Sequence, residues 1–243
     1  MSRKRADVLL VERGLAASRT QAQAAIAAGG VSADGAPVLK PSDLIAESAN
    51  LAFTPAHPWA SRGGVKLAAA LDAFGVDPAG RICLDVGAST GGFTDVLLNR
   101  AAAKVYAVDV GQGQLLARLR DDDRVVNLEQ TDARALTRAD IPEAPSLIVC
   151  DASFIGLEKV LPVPLSLADR QADLVALVKP QFEAGPGAPG KNGVLEEAVA
   201  RNAAGAAIAA LDGLAGFSII AFCDSPITGG DGNLEMLVHA RRG

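Results

Sequence analysis

The stretch LDVGASTGGFTDVLL, Leu84 to Leu98, decides how the rest of the chain is read. An apolar run enters it, three glycines stand in its middle, and Phe93, Val96, Leu97 and Leu98 leave it at helical spacing. That is strand, tight turn, helix. Gly87 lets the backbone turn sharply after the strand, and Gly91-Gly92 open the helix with no side chain in the way. A turn built for a pyrophosphate wants G-x-G-x-x-G with the anion on the helix N-terminus. Here the spacing is G-x-x-x-G-G, and an acid, Asp85, stands two residues before the first glycine. Such an anion repels pyrophosphate and suits a ligand that carries an ammonium group, so nicotinamide dinucleotide binding is set aside.

On either side of this stretch, strand-like and helix-like segments alternate. The pattern predicts helices near 64–74, 92–100, 112–120, 157–167 and 194–212. Strands are expected near 81–86, 104–109, 125–129, 146–151, 173–178, 217–223 and 234–240. Strands alternating with helices predict a doubly wound, Rossmann-like α/β sheet, whose ligands collect at the carboxyl ends of the strands. Acids stand at those ends. VYAVDVG leaves its strand on Asp109, placed to accept hydrogen bonds from a ribose diol, and Asp132 in EQTDA could meet an adenine amine. S-adenosylmethionine has the ammonium, the ribose and the adenine, and no phosphates. The candidate cofactor contacts are therefore Asp85, Gly87, Ala88, Ser89, Gly91, Gly92, Phe93, Asp109 and Asp132. GPGAPGKNG, residues 185–193, is low in complexity and is expected to be mobile.

The formal net charge is -5, yet residues 1–62 hold seven Lys/Arg against five Asp/Glu and the remainder sixteen against twenty-three. A small basic head thus precedes an acidic body, the asymmetry expected where one end meets a polyanion. The head reads as two short helices and a hairpin: Val8, Leu9 and Leu10 in the first helix, a Gly14 stop, a Ser18 cap before Arg19 to Ala28, then Asp34-Gly35 as the turn. The order R-x-D-x-L-L, S-R, A-x-x-I-x-x-G-x-V resembles the S4 RNA-binding domain over roughly residues 3–53. The resemblance implies RNA contact through Arg3, Lys4, Arg5, Arg13 and Arg19, which would meet phosphates and position RNA rather than read it. TPAHPWA, with Pro55, Pro58 and Trp59, reads as a stiff linker, giving domains of 1–54 and 62–243 joined by 55–61.

Four polar side chains recur at comparable places: Lys66 in SRGGVKL, Asp151 ending SLIVCD, Lys179 ending LVALVK and Glu235 in GDGNLEML. The set Lys, Asp, Lys, Glu resembles that of the FtsJ-type ribose 2′-O-methyltransferases. With DVGASTGGFTD, DASFIGL and LVKPQFE, the chain resembles the TlyA family of rRNA methyltransferases, which join an S4 domain to that catalytic domain. The resemblance covers almost the whole chain. It implies methylation of cytidine 2′-hydroxyls in 16S and/or 23S rRNA within ribosomal subunits. The chain departs from the family pattern at Gln112, where an aromatic is expected, and lacks a Trp a few residues later.

A ribose hydroxyl is a poor nucleophile unless its proton leaves as the methyl arrives, and a lysine takes that proton only if its pKa falls from about 10.4 towards about 7–8. Lys179 is the expected base, with Lys66 as orienter and Asp151 and Glu235 as electrostatic partners, although either lysine could lose the proton. Two alternatives accompany this reading: a non-catalytic RNA-binding assembly factor, and a membrane-active haemolysin, since TlyA relatives often carry that label. Only Ala203 to Cys223, with Asp212 its sole charge, has the length of a membrane span, and it parses as helix, turn and buried strand. No apolar signal opens the chain, and Cys83, Cys150 and Cys223 form no CxxC pair, so a cytoplasmic protein with reduced, structural thiols is expected. His57 and His239 stand alone in the sequence and carry no assigned role; no metal is expected. The expected partner is rRNA, the expected state a monomer.

Overall fold

The computed structural model describes residues 2–16, 18–185, 187–188, 190–191 and 193–243. The chain divides into two compact units, Met1–Pro58 and Trp59–Gly243.

In the first unit, β1 (Arg3–Arg5) leads into α1 (Ala6–Glu12) and α2 (Arg19–Ala27), followed by β2 (Val31–Ala33), β3 (Ala36–Pro37), β4 (Leu44–Ala46) and β5 (Leu51–Phe53). Ser18 caps α2 by accepting from the Gln21 amide at 3.2 Å, as its position before the helix predicts. Asp34 and Gly35 both take positive φ, 50° and 82°, which is what the tight hairpin between β2 and β3 demands. β5 adds to β2 and β1 pairs with β4. Unlike the β2–β3 hairpin, β1, β4 and β5 were not foreseen, because three residues are too short to carry an alternation. The small core is Ala6, Leu10, Ala16, Ala22, Ala25, Ile26, Val31 and Val38.

The second unit begins with α3 (Arg62–Phe74), β6 (Ile82–Val86), α4 (Gly92–Asn99), β7 (Lys104–Val108), α5 (Ala117–Arg120), β8 (Val125–Leu128) and β9 (Leu147–Cys150). It continues through α6 (Leu157–Val160), α7 (Pro162–Ser166), β10 (Ala172–Val178), α8 (Pro180–Glu183), β11 (Gly190–Lys191), β12 (Val194–Leu195), α9 (Glu197–Leu211), β13 (Ser218–Asp224) and β14 (Met236–Arg242). Seven strands form one sheet in the order β13-β14-β10-β9-β6-β7-β8. All neighbours are parallel except β14, which is antiparallel to both β10 and β13. Alternate residues of each inner strand enter opposite cores. Leu84, Val86, Tyr106, Ile148 and Cys150 face one side, and Cys83, Val105, Ala107, Leu147 and Val149 face the other. The sheet is thus covered on both faces, and its inner strands read as unbroken apolar runs for that reason.

Several expected helices differ in extent. The helix expected over 112–120 forms only as α5, because Gly111 and Gly113, the latter at φ +65°, hold the preceding segment as a series of bends. Pro162 and Pro164 split the one expected over 157–167 into α6 and α7. The segment before α9 folds back as the β11–β12 hairpin. The expected mobility of residues 185–193 falls partly on Pro186, Pro189 and Asn192, which lie outside the described residues. Ala203 to Cys223 is helix, turn and strand, and no described helix is long and apolar enough to cross a membrane. The strand differs from the buried one expected: β13 is an edge, and Ile220 and Phe222 are exposed. Cys83 and Cys150 are buried and unpaired, and burial pushes both thiols up to about 12, which suits packing and not nucleophilic chemistry.

The strand order reverses between the parallel neighbours β6 and β9, and there the two strand ends lie close together. A Cβ on Gly87 would lie 2.9 Å from the backbone of Ala152, and Gly87 holds φ at +84°. Only glycine meets both conditions. Gly87→Ala is expected to cost at least about 1–3 kcal/mol of stability, measured by urea unfolding, because the strained φ alone carries that cost. An unchanged unfolding midpoint would mean that the two strand ends have room to part.

Candidate functional site

Register brings the four candidate side chains to one edge of the sheet. Val178 pairs with Met236 across β10 and the antiparallel β14, so Lys179, just after one strand, stands beside Glu235, just before the other. Cys150 pairs with Val86, which sets Asp151 beside the Gly87 turn. Lys66 comes from α3, whose start is capped by Ser61. Gly63 lets that helix approach, since a Cβ there would lie 3.1 Å from Asp151 Oδ2.

The result is two ion pairs. Lys66 Nζ pairs with Glu235 Oε2, and Lys179 Nζ lies 2.7 Å from Asp151 Oδ1. The second contact is out of line for a hydrogen bond. The ammonium of Lys179 donates instead to Asp151 O at 3.0 Å and to Ser153 Oγ at 2.7 Å, and Asp151 Oδ1 accepts no hydrogen bond. Lys66, Lys179 and Glu235 are each less than a tenth exposed. Buried charge of this kind is costly unless paired, and geometry that fails to satisfy it fully marks a site rather than a stability device.

Beside the pairs lies a cleft of about 450 Å³, walled by Gly87, Ser89, Asp109, Gly111, Gln114, Asp132, Asp151 and Phe154 among others. Asp109 forms part of its wall, accepting from the amides of Ser89 at 2.8 Å and Gly111 at 2.7 Å. Ser89 is held at φ +46° and donates to Gln114 Oε1 at 2.9 Å. Asp132 reaches the wall too, with its carboxylate gripped by Arg134 at 2.6 Å. Asp85 lies behind the wall, fully buried. Its Oδ2 accepts from Thr94 Oγ1 at 2.7 Å while Oδ1 has no hydrogen-bond partner. Burial pushes its carboxyl up to about 7, opposed by Thr94 and reinforced by the charges of Asp151 and Asp109. Three carboxylates around one cleft and an unsatisfied buried oxygen fit a cationic nucleoside and repel a pyrophosphate.

Ala88, Gly91, Gly92 and Phe93 do not line this cleft. Gly91 makes room for Leu119, whose Cδ1 would lie 2.3 Å from a Cβ there, and Gly92 makes room for Ser61. At Gly91 and Gly92 the missing side chain lets the turn pack against these neighbours.

Other residues of the site escaped the sequence reading. Glu129 accepts from the amides of Gly113, Gln114 and Leu115 at 3.0, 2.6 and 3.0 Å and so fixes the cleft-side segment that replaces the expected helix. Those amides hold its carboxyl below the ordinary range. Gln112 is exposed, and it is Gln114 that forms the wall. Phe154 is 90% exposed at φ +64°, its ring 5.0 Å from that of Phe182, above a hollow of about 610 Å³ that Arg134 and Lys159 also border. Only the carboxylate of Glu129 lacked any local signal; Phe154, in DASFIG, had its place beside Asp151 to mark it.

Glu129→Ala is expected to release the 113–115 amides, seen as a loss of hydrogen-exchange protection there and not in β6. The same loss is expected in the native chain as pH falls through the lowered Glu129 pKa, since a depressed carboxylate stabilises only above it. Unchanged protection in the variant would mean that the segment is held by packing alone.

The FtsJ-like methyltransferase model matches residues 59–242, and the S4 domain model matches residues 4–50. A Mycobacterium tuberculosis protein named 16S/23S rRNA (cytidine-2′-O)-methyltransferase TlyA is 47% identical over 98% of this chain and 90% of its own length. Hemolysin A of Brachyspira hyodysenteriae is 39% identical over 97% of this chain and 98% of its own. A solved Streptococcus thermophilus chain that carries a hemolysin label superposes with a TM-score of 0.77 at 40% identity, covering 100% of this chain and 89% of that one. Fold, paired charges and these matches agree: the chain belongs to the TlyA family, FtsJ-like methyltransferases with an S4 domain at the head.

Proposed function

We propose that this protein transfers a methyl group from S-adenosylmethionine to ribose 2′-hydroxyls of rRNA, on cytidines of 16S and/or 23S rRNA in ribosomal subunits, in the cytoplasm. The observation that carries the reading is the pair of buried lysine–carboxylate contacts at one end of a carboxylate-lined cleft. The activity named for the M. tuberculosis relative supports the substrate.

When bound, S-adenosylmethionine supplies an electrophilic methyl group on sulfur. Asp109 would accept from its ribose diol while keeping the amides of Ser89 and Gly111, and the Asp85–Asp109–Asp151 cluster would favour its cationic end. Asp132, whose carboxylate is oriented by Arg134, would meet the adenine amine.

In the structure Lys179 is the ammonium partner of Asp151. Once Lys179 has passed a proton to solvent, the hydroxyl becomes nucleophilic as its own proton moves to Nζ: the O–H bond breaks, an N–H bond forms, and the oxygen takes the methyl as the methyl–sulfur bond breaks. The new ammonium is met at once by Asp151 Oδ1 at 2.7 Å, Asp151 O and Ser153 Oγ. Lys179 suits this role better than Lys66, because its partners Asp151 and Ser153 line the cleft whereas Glu235 does not. Lys66 and Glu235 hold the edge of β14 against α3 and keep a second positive charge near the developing proton transfer. The exposed ring of Phe154 offers a face on which an extruded base can stack, a contact worth roughly 1–3 kcal/mol.

Lys179→Ala is expected to lower the single-turnover rate of methyl transfer to rRNA by about 100-fold or more, the scale of positioned proton transfer. S-adenosylmethionine affinity, measured by calorimetry, should change less than about threefold, since the lysine faces the hydroxyl and not the cofactor anchors. A near-normal rate in this variant would remove Lys179 from the base role.

A further inference from the structure

The basic head contains one buried carboxylate. Asp7 has no exposed surface, yet it lies in the first turn of α1 among Arg5, Arg19 and Gln23. Arg5 donates side-on, Nε to Oδ1 at 3.0 Å and Nη2 to Oδ2 at 3.1 Å. Arg19, from α2, donates to Oδ2 through Nη2 at 2.8 Å and Nε at 3.3 Å, and Gln23 Nε2 adds a contact at 2.9 Å. Arg5 before all, with Gln23 and Arg19, holds the carboxyl well below its ordinary range, so it stays charged.

A guanidinium has five N–H donors, and these contacts use two on each arginine. Three remain on each, and both side chains are about half exposed, 44% and 57%. Two long cations, one at the end of β1 and one at the start of α2, are thus tied to one point with their outer edges turned to solvent and a summed charge of +1. By contrast, Lys4 is engaged by Glu12 and Arg13 by the carbonyls of Ala49 and Glu47.

We infer that Asp7 is a positioning residue for RNA, welding Arg5 and Arg19 into one rigid phosphate clamp. The inference rests on the reading that the head binds RNA. Freezing two arginines costs side-chain entropy on binding, and a buried carboxylate removes that cost beforehand. Its sign is diagnostic. Long-range electrostatics alone says that neutralising an acid in a basic head strengthens attraction to a polyanion; a clamp that loses its anchor binds more weakly.

The test titrates the full chain with purified bacterial ribosomal subunits at several KCl concentrations. Asp7→Asn is expected to bind roughly tenfold more weakly despite its added positive charge, the loss of about one well-placed charged hydrogen bond. In a background of Arg5→Ala with Arg19→Ala, the same change should add no further loss. Equal or tighter binding by Asp7→Asn overturns the proposal, and so does an undiminished loss in the double-alanine background, which marks a structural role. Should Asp7→Asn fail to fold, Arg5→Lys with Arg19→Lys decides. It keeps both charges but cannot fork onto the carboxylate, and native affinity in that pair overturns the clamp. If the double-alanine variant itself binds normally, it is the RNA-binding role of the head that fails, and that result is separate.

Discussion

Charge held out of water at the carboxyl edge of the sheet is the constraint on which the methyltransferase unit turns. Lys66, Lys179 and Glu235 are buried together, and Asp151 is only partly open. Ion pairs in such places rarely stabilise a fold as well as apolar groups of the same size would. Much of the local architecture serves to make them meet. The antiparallel β14 delivers Glu235 to Lys179, Gly63 lets α3 approach Asp151, and Gly87 lets the ends of β6 and β9 close on each other. An all-parallel sheet would carry the residue before its last strand to the opposite edge.

Much of this was legible in the sequence, and the reasons are physical. Inner strands covered on both faces show as apolar runs, so the sheet and the residues at its strand ends could be read together. Lys179, Asp151 and Asp109 stand out because charge follows directly on such a run. The Gly87 turn was legible because a positive φ beside another backbone leaves few alternatives. What stayed hidden depended on distant partners. Glu129 holds a segment fourteen to sixteen residues earlier, and no spacing announces that. The glycines at 91 and 92 also serve a packing role that the sequence did not announce, set by where Leu119 and Ser61 arrive. β13 read as buried from its apolar composition, but an edge strand can keep Ile220 and Phe222 in solvent.

The head makes the same point about charge. Counting residues marks it as basic, but of the five cations expected to meet RNA, Lys4, Arg5, Arg13 and Arg19 are held within the unit, by Asp7, by Glu12 and Glu47, or by the carbonyls of residues 47 and 49. Net charge therefore overstates how many free cations it offers, while the tethered guanidiniums offer direction that a count cannot register. Affinity for a polyanion and accuracy of its placement are separate properties here, and the fold supplies the second.

The central claim is that the buried lysine–carboxylate pairs methylate ribose 2′-hydroxyls of rRNA. The most direct measurement is mass mapping of rRNA nucleosides from ribosomal subunits incubated with S-adenosylmethionine, with and without the protein. The account predicts a gain of one methyl mass on the ribose of cytidine, at a small number of positions, only when protein is present. A methyl on the base instead of the sugar would contradict the chemistry assigned to Lys179. No new methyl on either subunit would contradict the assignment of rRNA as substrate.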